Sequence, residues 1–113
     1  MIHNVNVYIE HVLENIKDIE EFSEGLTKSE LLKDKLRQKA IVRSIEVIGE
    51  AVKNIPENVK VKYKEIEWRK IAGTRDRIIH HYFGVDLDII WAIIKNDLPD
   101  LKVKILKIKK ELK

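Results

Sequence analysis

The 113-residue chain contains no cysteine. That excludes disulfides, thiolate catalysis and Cys-ligated zinc or iron–sulfur centres. Proline occurs twice, at positions 56 and 99, and glycine four times, at 25, 49, 73 and 84. Turn signals are therefore widely spaced. No apolar run approaches the ~20 residues needed to span a bilayer. The opening Met1-Ile2-His3-Asn4 lacks the basic-then-apolar pattern of a secretory signal. Gly-rich phosphate loops, Walker-type motifs and nucleophile elbows are also missing. A soluble, cytoplasmic protein without a membrane partner is the expectation. At this length one domain, residues 1–113, is expected, with one core.

What is abundant is charge, and its distribution is uneven. Lys plus Arg total 22 against 19 Asp plus Glu, a net charge of +3. Residues 1–34 hold three Lys and eight acids, a balance of −5. Residues 53–77 hold eight basic and four acidic side chains, and residues 102–113 hold six Lys and one Glu. Such a partition is the usual footprint of a polyanion partner, although solvated helix faces are charged in any case.

The apolar pattern is helical throughout. Val5, Tyr8, Ile9, Val12, Ile16, Ile19 and Phe22 recur every three or four residues before Gly25 stops the first helix. Thr27-Lys28-Ser29-Glu30 has capping-box spacing and opens a second helical region. Its predicted inner stripe is Leu36, Ala40, Ser44, Val47, Ile48, Ala51 and Ile55, closed by Pro56. Residues 57–67 read as a polar short helix or loop. Residues 68–83 read as one helix with Ile71, Ala72, Ile78, Ile79, Tyr82 and Phe83 inward. Asp86 is the expected N-cap of a last helix whose stripe runs Trp91, Ile94, Leu98, Leu101, Ile105, Ile108 and Leu112. That stripe is a heptad seam able to pack along another helix or a second subunit, with a kink or break expected at Pro99. Nothing reads as a strand. The fold class is all-α, an up-and-down bundle of four to five helices.

Chemistry concentrates in Gly73–Asp88, GTRDRIIHHYFGVDLD. Arg75, Arg77, His80, His81 and Tyr82 fall within eight residues. On a continuous helix Arg75 and Tyr82 would lie within roughly 20° of each other, and Asp76 and His80 would form an i, i+4 pair. Arginine supplies a fixed cationic fork for phosphate, and histidine exchanges protons near neutrality. Together they are the parts that RNA cleavage without metal requires: proton transfer at the 2′-hydroxyl or leaving oxygen, and a cation for the phosphorane charge. A single copy supplies one proton-transfer group of this kind, and a two-fold dimer would supply two. The alternative is ordinary packing and surface polarity at a helix end. Adjacent His80 and His81 point about 100° apart, and no carboxylate spacing completes a ligand set, so no metal site is expected.

Arg75-Asp76-Arg77-Ile78-Ile79-His80-His81-Tyr82 fits the R-x4-H-x-Y motif of the HepT-like ribonuclease toxins, in the HEPN domain superfamily, and resembles it in context. Tyr8-Ile9-Glu10 resembles that family's opening helix, and Arg43-Ser44-Ile45-Glu46-Val47-Ile48-Gly49-Glu50-Ala51 its IGEA helix. Trp68 with Ile71-Ala72-Gly73, then Tyr82 to Trp91, then Asn96-Asp97-Leu98-Pro99 follow in order. The resemblance implies a dimerising HEPN-like bundle and cleavage of RNA, tRNA in the better-understood cases, by Arg75 and His80 without cofactor. It also implies a minimal nucleotidyltransferase antitoxin that uses ATP to transfer AMP onto the motif tyrosine, here Tyr82. Added phosphate beside Arg75 would occlude and neutralise the site.

Two positions depart from the commonest family pattern. Asp76 stands where Asn is usual, and a carboxylate one turn before His80 would favour the protonated, general-acid imidazole while opposing RNA phosphate. His81 stands where a small or acidic residue is usual, as a second proton carrier or a bystander. Gly49 is expected to permit close helix–helix approach at ~1 kcal/mol of helix propensity. Glu50 is expected either to anchor Arg75 or Arg43 across the bundle or to lie at the surface. Two other functions fit the same features: a catalytically silent subunit that binds nucleotide or substrate for a nucleotidyltransferase, and an interaction module built on the C-terminal seam.

Overall fold

The computed structural model describes residues 4–80 and 84–112; for positions 79, 80, 84 and 85 only the backbone is described. The chain folds as an all-α bundle. Two 19-residue helices, α1 (Val5–Ser23) and α3 (Lys35–Lys53), pack along each other and form its centre. A third long rod, α7 (Leu87–Ala92), a π-helical turn (Ile93–Asp97) and α8 (Leu98–Glu111), lies against α1. Short helices α2 (Lys28–Lys33), α4 (Glu57–Lys62), α5 (Trp68–Ala72) and α6 (Thr74–Ile78) fill the connections. Among the described residues, no helix is long and apolar enough to cross a membrane.

The local signals act as their chemistry dictates. Gly25 adopts the left-handed conformation, φ 73°, that ends the first helical segment cheaply. Thr27 Oγ1 accepts from the Glu30 amide at 3.1 Å, and the Thr27 amide donates to Glu30 Oε1 at 2.9 Å, which completes the capping box. The second helical region is broken at Asp34, whose carboxylate caps α3 by accepting from the Arg37 amide at 3.0 Å and its guanidinium at 2.7 Å. These contacts hold both carboxyls, Glu30 and Asp34, below their ordinary range, the hydrogen bonds from Thr27 and Arg37 being the leading causes.

The core contains Ile9, Val12, Ile16 and Ile19 of α1, Ile41, Ile45, Ile48 and Val52 of α3, and Leu98, Leu101, Ile105 and Ile108 of α8. The predicted α3 stripe is displaced at its start. Leu36 is 81% exposed, whereas Ile41 and Ile45 are buried. The Asp34 break shifts the first turn of α3 away from the core. The 57–67 stretch carries more core than its polarity suggests: Val59, Tyr63 and Ile66 are buried. The heptad seam of the last rod is spent within the bundle, with Leu98, Leu101, Ile105 and Ile108 all buried. It is not free for a second subunit. Pro99 sits at the start of α8, directly after the π turn. Widening the helix there accommodates a residue that lacks an amide hydrogen and crowds the carbonyl one turn back.

Candidate active site

The expected single helix over 68–83 is divided. Gly73 separates α5 from α6, and α6 ends at Ile78. Ile79–His80 is extended and pairs antiparallel with Gly84–Val85, with Ile79 opposite Val85 and His80 opposite Gly84. The physical reason lies in the sequence. Ile79 is β-branched, which favours pleated backbone over helix. Asp86 fastens the pairing, because its amide donates to the Ile78 carbonyl at 2.6 Å. Its carboxylate then caps α7, as expected, accepting from the Ile89 amide at 3.1 Å.

The consequence is a two-part site. Arg75 projects from a helix and His80 follows on an extended segment, so the helical i, i+4 relation expected between Asp76 and His80 does not hold. The Asp76 carboxylate instead lies 3.7 Å from an Arg75 terminal nitrogen and is 86% exposed. The side chain of His80, and all of His81 and Tyr82, lie outside the described residues, as does the expected proximity of Tyr82 to Arg75.

Arg75 is held across the bundle. Its Nε donates to Glu46 Oε2 on α3 at 2.5 Å, while about half of its side chain remains exposed. The Nε edge of the guanidinium is thus fixed. Glu50 does not perform this task. It is exposed, and its carboxylate lies 3.6 Å from Lys53 on its own helix. The anchor is Glu46, one turn earlier. A signal for it is present in the sequence: Glu46 lies three residues before Gly49 and so shares a face with it. Gly49 is where α3 meets the end of α5. A Cβ built there would stand 3.2 Å from the Ala72 carbonyl oxygen, so the glycine is what lets the segment carrying Arg75 come within reach of Glu46.

Two further contacts stiffen this region. Thr74 is buried, and its hydroxyl donates to the Lys70 carbonyl at 2.9 Å across the Gly73 break. Buried Trp68 donates Nε1–H to the carbonyls of Tyr63 at 3.1 Å and Lys60 at 3.2 Å, which ties α5 to α4. Arg77 leaves α6 in a different direction from Arg75. It borders a small cleft of about 100 Å³ floored by Ile45, Ile48 and Leu101, with Asp97 also on its rim. Among the described residues, no group of three or more His, Asp or Glu is placed to hold a metal ion.

The bundle carries its R-x4-H sequence where α6 gives way to extended backbone, and comparison with known proteins gives the class, a ribonuclease. The family model described as Ribonuclease HepT-like matches residues 12–108. The chain belongs to that family. It is 50% identical over 97 residues to a candidate RNase of Methanocaldococcus jannaschii, covering 86% of this chain and 80% of that protein. It is 46% identical over 103 residues to a candidate ribonuclease HepT of Thermococcus cleftensis, covering 91% and 94%. A second M. jannaschii protein, named as a gamma-glutamylcyclotransferase and candidate RNase, is 45% identical over 109 residues, and the match spans 96% of this chain but only 49% of that protein. No solved structure matches.

Proposed function

We propose that the chain is a metal-independent endoribonuclease that acts as the toxin of a toxin–antitoxin pair. Arg75 binds the scissile phosphate and stabilises charge on the phosphorane, and His80 transfers the proton. Two copies form the working cleft. The substrate is RNA, with tRNA the first species to test. A minimal nucleotidyltransferase silences the enzyme by placing AMP from ATP on Tyr82, which adds bulk and negative charge next to the motif. The observation that carries this reading is Arg75, held at Nε by Glu46 with about half of its side chain exposed, in a member of a ribonuclease family.

Purified protein is expected to cleave tRNA in EDTA, and Arg75→Ala or His80→Ala to reduce the rate by about 10²- to 10⁴-fold. Intact RNA after incubation with wild-type protein overturns the reading in favour of a silent binding subunit. Mass spectrometry after incubation with the partner and ATP is expected to show AMP-sized increments that vanish in Tyr82→Phe. A monomer at micromolar concentration would remove the shared cleft from the scheme.

A further inference from the structure

We infer that the groove between α4 and α5 is the track on which this protein holds the phosphate backbone of RNA as it enters the Arg75 site. The inference rests on the ribonuclease reading above and adds to it a surface outside the R-x4-H motif. The groove has a volume of about 450 Å³ and is lined by Lys60, Lys64 and Arg69, with Glu57 the one acid beside them and Val61, Trp68 and Ala72 its apolar lining.

Charge is the first observation. Of the eight cationic side chains in residues 53–77, Lys53 is paired with Glu50 and Arg75 with Glu46. Among the described residues, Lys60, Lys64 and Arg69 have no carboxylate partner. By contrast, Lys102 and Lys109 on α8 are neutralised by Glu20 and Glu10 of the acidic first helix. The acidic α1 therefore pairs with part of the C-terminal basic run, whereas Lys60, Lys64 and Arg69 of the groove stand without an ion pair among the described residues. Unpaired Lys and Arg around a concave surface suit a chain of phosphates and read no base.

Continuity is the second. Ala72 forms one wall of the groove, and its carbonyl lies over Gly49 of α3. One turn back along α3, Glu46 holds Arg75. A residue lining the groove thus meets α3 about one helical turn, ~5 Å along the axis, from the anchor of the motif arginine. Rigidity is the third. Trp68 bonds to the backbone of α4 and of its C-terminal end, so Lys60 and Lys64 on one side and Arg69 on the other are held on a fixed scaffold.

The test is RNA binding in EDTA across a salt series. Fluorescent tRNA is the probe, and His80→Ala is present in every protein so that the RNA stays intact. Lys64 and Arg69 are exposed, so the double variant Lys64→Gln/Arg69→Gln removes both charges at solvent-facing positions and is expected to keep its fold, checked by circular dichroism. It is expected to bind about tenfold more weakly near 0.15 M salt, with the slope of log affinity against log salt smaller by about 1.4–1.8 for two lost phosphate contacts. The charge-matched control Lys107→Gln/Lys110→Gln, on α8, is expected to change affinity less than about threefold. Equal losses in the two doubles, or no loss in the groove double, overturn the groove while leaving RNA binding and cleavage intact. If the His80→Ala protein binds no RNA and the wild type cleaves none, the groove and the ribonuclease reading fall together. Single variants Lys64→Glu and Arg69→Glu make the same discrimination if the double variant is poorly folded.

Discussion

Arg75 on α6 and Glu46 on α3, 29 residues apart in sequence, meet at 2.5 Å through the Nε edge of the guanidinium. Arg75 is half in solvent and Glu46 about a quarter, a setting in which ion pairs add little to stability. The consequence of the pair is geometric: it selects the rotamer that brings Nε of Arg75 to Glu46, which on the proposed function is the one that presents the arginine to phosphate.

Glu46→Ala therefore lowers RNA cleavage by about five- to tenfold, the equivalent of ~1–1.4 kcal/mol of lost positioning. Unfolding changes by less than ~1 kcal/mol. Glu46→Gln keeps an acceptor oxygen and recovers most of the rate. Single-turnover cleavage beside thermal melts separates the two effects. Equal rates for Glu46→Ala and wild type would show that the pair does not orient Arg75.

At Gly49 the constraint is space. A methyl at this position stands 3.2 Å from the Ala72 carbonyl oxygen, so a shift of a few tenths of an ångström is required. Gly49→Ala also gains up to ~1 kcal/mol of helix propensity, which leaves it within ~1 kcal/mol of wild type. Gly49→Val adds a Cβ and two γ-methyls against backbone and costs about 2–3 kcal/mol. Calorimetry is expected to place its Tm at least about 8 °C lower.

The Thr27 capping box is a local feature and should behave as one. Thr27→Ala removes the side-chain acceptor for the Glu30 amide and costs ~1 kcal/mol. Urea midpoints read this directly. Cleavage by the remaining folded protein is expected to be unchanged.

Two contacts give the stability a pH dependence, one at each end of the range. Tyr63 donates its hydroxyl to Glu111 at 2.6 Å. That bond, with burial and nearby carboxylates, holds the phenol at about 12 instead of 10. A folded value above the unfolded one means the contribution is complete below about pH 10 and is lost as pH rises toward 12. Tyr63→Phe removes this dependence, so the gap between the Tm curves of wild type and variant narrows across that window.

On the acid side the sign reverses. The Asp34 carboxyl is held below its ordinary 3.8, chiefly by hydrogen bonds from Arg37. Its contribution is complete above about pH 4 and disappears as pH falls through the lowered folded value. Asp34→Asn should melt lower than wild type near neutrality and converge on it in acid.

Much of the bundle is legible in the sequence because its signals are local. The α1 stripe, the Gly25 stop, the Thr27 box and the Asp86 cap each depend on residues within about one turn, and all are present. The seam of the last rod is a packing stripe, as its spacing predicts, and α1 and the rest of the bundle occupy it. Val59, Tyr63 and Ile66 have helical spacing but stand among lysines and glutamates, so polarity masks their burial.

The sequence by itself determined an all-α, cysteine-free domain, the helix caps and stops, and the location of an R-x4-H motif in a basic stretch. Those follow from periodicity and short-range hydrogen bonding, which act over a few residues. Tertiary structure alone decided that Glu46 and not Glu50 holds Arg75, that the motif segment breaks into helix and paired extended backbone, and that α1 neutralises lysines of α8 while those of the α4–α5 groove stay uncompensated. Each depends on how closely two distant segments approach. On α3 that distance is set by one missing side chain, at Gly49, which no periodicity encodes.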